Sequence, residues 1–246
     1  MGQVIAVTSG KGGTGKTTLC AGIASCLAAD GKRVLCIDAD IGLRNLDISL
    51  GMADLAPISF ADVIFGRCSL SEAAPHPDIP GLFLLTAPIS EKPGRITPGG
   101  FSGLLQQVRQ AFDFCLIDAP AGLGEGFWLA ADGADSVLVV STPDPASMRD
   151  AACAADALFL AGKHDVRLIV NRITPKLFRQ MSLTVDDVMD NVGLPLLGIV
   201  PEDQNVVLSA AHNTALVLFS NQNAAVACLH IARRLCGRKV RLLRIR

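Results

Sequence analysis

The chain has no long apolar run. Half of its 246 residues are hydrophobic and the mean hydropathy is +0.42, yet the longest unbroken hydrophobic stretch is the six residues 224–229. That is far short of the roughly 20 that a membrane-crossing helix needs. Paired cysteine spacing is also missing. The eight cysteines, at 20, 26, 36, 68, 115, 153, 228 and 236, form no C-x-x-C pair and sit mostly in apolar segments. This fits small core residues in a reducing compartment and argues against a disulfide framework. Ahead of Val4 there is neither a basic region nor a small-residue cleavage site, so no secretory leader is expected and the cytoplasm is the expected location. Repeats and low-complexity linkers are absent, and the composition excludes a disordered or collagen-like chain.

Acidic residues are missing from the last 14 positions, where Arg233, Arg234, Arg238, Lys239, Arg241, Arg244 and Arg246 make seven of the 22 basic residues. The preceding 232 residues hold the other 15 together with all 23 acidic ones, a formal charge of −8. The net charge of −1 therefore averages an acidic body and a cationic tail. Such a body argues against nucleic acid as a partner. The tail suits an anionic surface.

Apolar runs without alternation at residues 4–8, 33–38, 82–86, 114–118, 136–140, 167–170 and 196–200 read as strands buried on both faces. Helical stretches are expected at 16–29, 101–112, 125–132, 146–161, 184–192, 205–212 and 221–235. Residues 56–98 hold seven of the 13 prolines and read as irregular, with a short helix near 59–65. Strands alternating with helices predict an α/β fold with a doubly wound, mainly parallel sheet flanked by helices. Residues 1–237 are expected to form one domain, and 238–246 a basic tail.

Directly after the first strand, Gly10-Lys11-Gly12-Gly13-Thr14-Gly15-Lys16-Thr17-Thr18 fits the phosphate-loop pattern G-x-x-x-x-G-K-[ST], with a helix expected to follow. Glycines let backbone N–H groups turn in around phosphate oxygens, and the helix N-terminus adds partial positive charge. Lys16 is expected to reach the terminal phosphates and the Thr17 hydroxyl to join a Mg²⁺ shell. The second strand ends in Asp38-Ala-Asp40-Ile-Gly-Leu-Arg-Asn-Leu-Asp47, at the sheet edge where α/β folds bind ligands. Asp40 is placed to orient an attacking water and Asp38 to support the Mg²⁺ water shell. Phe114-Cys-Leu-Ile-Asp118 is a Walker-B arrangement, making Asp118 another metal-shell candidate, and the small residues Ala-Pro-Ala-Gly after it suit a second switch. The strand at 167–170 ends in Asn171-Arg172, and the one at 196–200 in Pro201-Glu202-Asp203. An amide at Asn171 can donate to and accept from an adenine edge, and no N-K-x-D motif for guanine appears, so ATP is the expected nucleotide.

The string GKGGTGKTT, with its second lysine at Lys11, resembles the deviant phosphate loop of the MinD/ParA family of ATPases, and both switch strings continue the likeness over nearly the whole chain. The resemblance implies a P-loop ATPase that forms a homodimer when ATP-bound, in which Lys11 reaches the partner's nucleotide as an arginine finger does elsewhere. It places Asn171, Arg172, Pro201, Glu202 and Asp203 around the adenine. It further implies docking on the inner membrane, recruitment of a division-inhibitor protein, septum placement, and release by an ATPase-activating protein. A partition ATPase that binds DNA and a flagellar-number regulator of the same family share these motifs and stay open at this point. Family members usually end in an amphipathic helix. If the last helix continues here, Ile231, Leu235, Leu242 and Ile245 share a face, with Arg238 within it and Gly237 interrupting it.

Overall fold

The computed structural model of the chain describes residues 1–41, 43–89, 91 and 95–243. Its strands are β1 (Gln3–Thr8), β2 (Val34–Asp38), β3 (Ala74–Pro75), β4 (Leu82–Leu85), β5 (Phe114–Asp118), β6 (Ser136–Ser141), β7 (Val166–Ile173) and β8 (Leu196–Pro201). They form one sheet in the order β3-β4-β2-β5-β1-β6-β7-β8, parallel throughout except where β3 pairs with β4. Central β1 explains the unalternating apolar runs. Val4 and Ala6 face one packed layer while Ile5 and Val7 face another, and all four are fully buried.

The helices are α1 (Lys16–Ala29), α2 (Leu46–Leu50), α3 (Phe60–Ile64), α4 (Pro98–Ala111), α5 (Glu125–Gly133), α6 (Pro145–Leu160), α7 (Pro175–Gln180), α8 (Val185–Val192), α9 (Asn205–Ala211), α10 (Leu216–Phe219) and α11 (Asn223–Leu235). One face of the sheet is covered by α4, α5, α6 and α8 through residues such as Phe101, Phe127, Leu158 and Val188. The other is covered by α1 and α11. Helix α1 is apolar all round because it lies between the sheet and α11. Small residues make this sandwich possible: a Cβ on Gly22 would stand 2.7 Å from Cys228 Sγ. Five cysteines (20, 26, 36, 115 and 228) are buried as expected, whereas Cys153 is exposed on α6.

The C-terminal helix does not continue into the tail. It ends at Leu235, Gly237 takes φ +74, and residues 238–243 are non-helical. Ile231 and Leu235 are packed inside while Leu242 is 45% exposed, so the continued apolar face does not form. The reason is a competing set of contacts. Arg234 donates to the Leu197 carbonyl on edge strand β8 and, at 2.8 and 3.2 Å, to the Val240 carbonyl, while Arg238 pairs with Asp30 at 3.1 Å. Arg244, Ile245 and Arg246 lie outside the described residues, as does Gly42 of the first switch string.

Candidate functional site

The carboxyl ends of β1, β2, β5 and β7 bring the sequence candidates together. Between β1 and α1 the phosphate loop is held on two sides. A Cβ on Gly10 would sit 2.2 Å from the Asp150 carbonyl of α6, and one on Gly15, at φ +91, would sit 2.3 Å from Asn171 Nδ2. By contrast, Cβ atoms on Gly12 or Gly13 would meet nothing within 4 Å, leaving the loop's backbone free to approach a ligand. Asn171 is buried and its amide donates to the Thr14 carbonyl at 2.8 Å. Its first task is thus to strut the loop, so it is less free to read a base than the sequence suggests. Arg172 follows in the left-handed region (φ +57), within the β7–β8 irregularity, and stands 3.9 Å from Glu202. Both line a narrow cavity with Gly15, Thr18, Pro201, Glu202 and Asp203. Asp203 lines it too, but its oxygens accept from the backbone N–H groups of Asn205 and Ala224, which fixes the starts of α9 and α11.

Strand register places Asp38 opposite Asp118. Asp38 is fully buried, and its carboxylate accepts from the N–H groups of Asp40 (3.0 Å), Asn45 and Leu46 (both 3.1 Å). It therefore organises the loop after β2 and the start of α2. Burial raises its pKa against those three donors. Asp40 is less enclosed, and burial raises its pKa while Lys16 opposes. Burial pushes Asp118 up to about 7, against the pull of the Thr17 hydroxyl, and its Oδ1 is buried without a hydrogen-bond partner. Lys16 is 8% exposed, and burial lowers its pKa while Asp118 and Asp40 oppose that.

Asp118 and Asp40 act on the Lys16 ammonium and Asp38 acts on Asp118, so three carboxylates gather near one ammonium, and an orphaned carboxylate oxygen stands beside Thr17. A divalent cation with its water shell satisfies both conditions, so the donor set fits Mg²⁺. Thr14 Oγ1 is a second buried atom without a partner, on the loop itself. Lys11 stands apart from this cluster. Its ammonium pairs with Asp144 at 2.9 Å, with the two side chains 36% and 46% exposed. Asp144 also caps α6 through the Ser147 N–H and accepts from the Thr142 hydroxyl at 2.6 Å. Although partial burial works the other way, Thr142, Ser147 and Lys11 hold its pKa down to about 2.

A family profile described as the CobQ/CobB/MinD/ParA nucleotide binding domain matches residues 5–217. The chain belongs to this family. It is 36% identical over 252 residues to the septum site-determining protein MinD of Bacillus subtilis, covering 98% of this chain and 92% of that protein. A MinC:MinD cell division protein complex from Aquifex aeolicus superposes with TM-score 0.91 at 35% identity, over 98% of each chain. The MinD protein of Pyrococcus horikoshii, complexed with Mg-ADP, gives 0.84 at 26% identity over 96% of each. The chain is a MinD/ParA ATPase that works on ATP with Mg²⁺.

Within such an ATPase, bound Mg²⁺ supplies charge neutralisation at the transferred phosphoryl group. The chain's own residues pre-arrange the rest: the loop backbone is locked between α6 and Asn171, Lys16 is dehydrated, and Asp38 fixes the loop that carries Asp40. Sequence reading missed two participants. Asp144 announced itself only as an Asp before Pro145, a helix-start signature. Arg44, at φ +44 and bonded to Asp47 at 3.0 Å, braces the first switch loop and had no local signal.

Proposed function

We propose that this ATPase is a dimerising switch that helps to place the division septum. With ATP bound, two copies pair, and Lys11 leaves Asp144 to reach the partner's nucleotide. The paired form engages a division-inhibitor protein, and the basic tail 238–246 attracts it to the anionic inner-membrane surface. An activating protein then stimulates hydrolysis and releases it. In the cycle Thr17, Asp38 and Asp118 surround Mg²⁺, Asp40 orients the attacking water, Lys16 and the loop from Gly10 to Thr18 hold the phosphates, and Asn171, Arg172, Pro201, Glu202 and Asp203 enclose the base.

The observation that carries this reading is Lys11 itself. It is a third exposed at the mouth of the phosphate loop and held by one partly exposed ion pair, a contact worth about 0–1 kcal/mol and so readily exchanged for a phosphate. Lys16→Ala should lose ATP binding, whereas Lys11→Ala should keep it and lose both ATP-dependent dimerisation and hydrolysis. Nucleotide titration, sedimentation and phosphate release read the three steps separately. Normal turnover by the Lys11 variant overturns the trans role.

A further inference from the structure

Helix α2 has five residues, about 7 Å from end to end, and is tethered at both ends. At its start Asp38, one of the carboxylates that fit Mg²⁺, accepts from the Asn45 and Leu46 N–H groups. Past its end lies the turn that joins α9 to α10. This turn approaches Gly51 (φ +71) so closely that a Cβ there would stand 2.8 Å from the Asn213 carbonyl oxygen and from the Ala215 nitrogen. Asn213 takes φ +45, and its side chain grips the segment after α2 twice. The Ala53 N–H donates to its Oδ1 at 3.2 Å, and its Nδ2 donates to a carboxylate oxygen of Asp54 at 2.8 Å. Ala215 and Leu216, directly after, are buried in the same layer as Leu46 and Leu50.

The same turn belongs to the narrow cavity beside the phosphate loop. Val206 and Val207 of α9 line that cavity from before the turn and Leu216 of α10 from after it, facing Asn171, Glu202 and Asp203. A base seated there presses on both flanks of the turn, the turn presses on the end of α2, and the start of α2 hangs on Asp38. We infer that Asn213 is a positioning residue: by clamping the α9–α10 turn to the segment after α2, it lets a seated base steady Asp38 at the Mg²⁺ shell. By reciprocity, Mg²⁺ then tightens the hold on the base. Adenine thus helps to order the metal site besides adding affinity. Both side-chain bonds face solvent and one of them is to a carboxylate, so the expected coupling is about three- to tenfold. The inference rests on the proposed seats of the base in this cavity and of Asp38 at Mg²⁺.

The test titrates the full chain by calorimetry with ADP and with inorganic pyrophosphate, which has the two phosphates but no base, each in Mg²⁺ and in EDTA. ADP is chosen so that ATP-dependent pairing does not enter. Asn213→Gly removes both side-chain bonds and suits the left-handed backbone, so the turn keeps its course. It should cut the tightening of ADP by Mg²⁺ about threefold or more and leave the tightening of pyrophosphate by Mg²⁺ as in the unaltered chain. Asp54→Ala, on an exposed residue, breaks the charged bond from its other side and should reproduce the selective loss. A merely structural loss moves both ligands together. An equal reduction for ADP and pyrophosphate, no reduction for either, or an Asp54 variant that behaves as the unaltered chain overturns the clamp. The seat of the base is checked separately: Val206→Trp fills the cavity and should weaken ADP but not pyrophosphate in EDTA. If it weakens both or neither, the base lies elsewhere and the clamp falls with that reading.

Discussion

Among single residues, Asp118 is the one whose chemistry is most altered by where it sits. Burial lifts it from an ordinary 3.8 to about 7. Between those values the folded protein holds a proton that the unfolded chain has lost, so the stability of the nucleotide-free form should fall as pH rises from about 4 to 7 and level off above. A Mg²⁺ shell needs the ionised form, so Mg²⁺-dependent nucleotide binding should strengthen as pH rises through about 7. Asp118→Asn removes its share of both dependences, which thermal unfolding and nucleotide titration across pH would show. An unchanged pH slope in that variant would mean another group is responsible. Gly15→Ala puts a methyl group 2.3 Å from Asn171 Nδ2 in a left-handed backbone. It should cost about 1–3 kcal/mol in denaturant unfolding and abolish nucleotide binding, from strain and from the broken strut to Thr14. The phosphate loop was legible in the sequence because its residues are contiguous. The strut was not, since Asn171 meets a carbonyl 157 positions away, and neither was the Lys11–Asp144 pair, 133 positions apart.

At the level of elements, the long helices were readable because each spans several turns, and the buried strands because each is a short unbroken apolar run. Helices α2, α7 and α10 have five, six and four residues, too few to display a period. Helix α2 exists through tertiary anchors: Asp38 holds its start, and His76 accepts from the Asp78 and Ile79 N–H groups while its Nε2 meets the Leu50 carbonyl at the helix end. Helix α6 joins structure to function most directly, because its cap residue is also the partner of Lys11. Asp144→Asn keeps a good capping acceptor but removes the charge, so α6 should be unaffected within a few tenths of a kcal/mol. Lys11 is then released, and ATP-dependent dimerisation should begin at a protein concentration several-fold lower. Asp144→Ala also loses the cap and should cost about 1 kcal/mol of stability in addition. Sedimentation against concentration measures the first effect, denaturant unfolding the second. Identical dimerisation by the Asn variant would mean that the pair does not restrain Lys11.

For the molecule as a whole, the division into acidic body and cationic tail is less sharp in space than in sequence. Arg234 is spent on the Leu197 and Val240 carbonyls, and Arg233 and Arg238 share Asp30. Among the described tail residues, Lys239 and Arg241 are the cations without an ion pair. Deleting 238–246 therefore removes packing as well as charge, and a loss of membrane binding by that truncation has two explanations. Combined Lys239→Gln and Arg241→Gln separates them, because it leaves the Arg234 and Arg238 contacts in place. At about 1 kcal/mol per cation near an anionic leaflet, two lost cations should weaken vesicle binding about 30-fold per chain, with dimerisation compounding the loss. The measurement is co-sedimentation with phosphatidylserine-containing vesicles in ATP and in ADP, with duplex DNA as competitor. Binding should require ATP, fall with the double variant and ignore the DNA. Sedimentation unchanged in the double variant excludes Lys239 and Arg241 as the anchor, and displacement by DNA points to the partition class of relative, whose attraction to a polyanion falls steeply with salt.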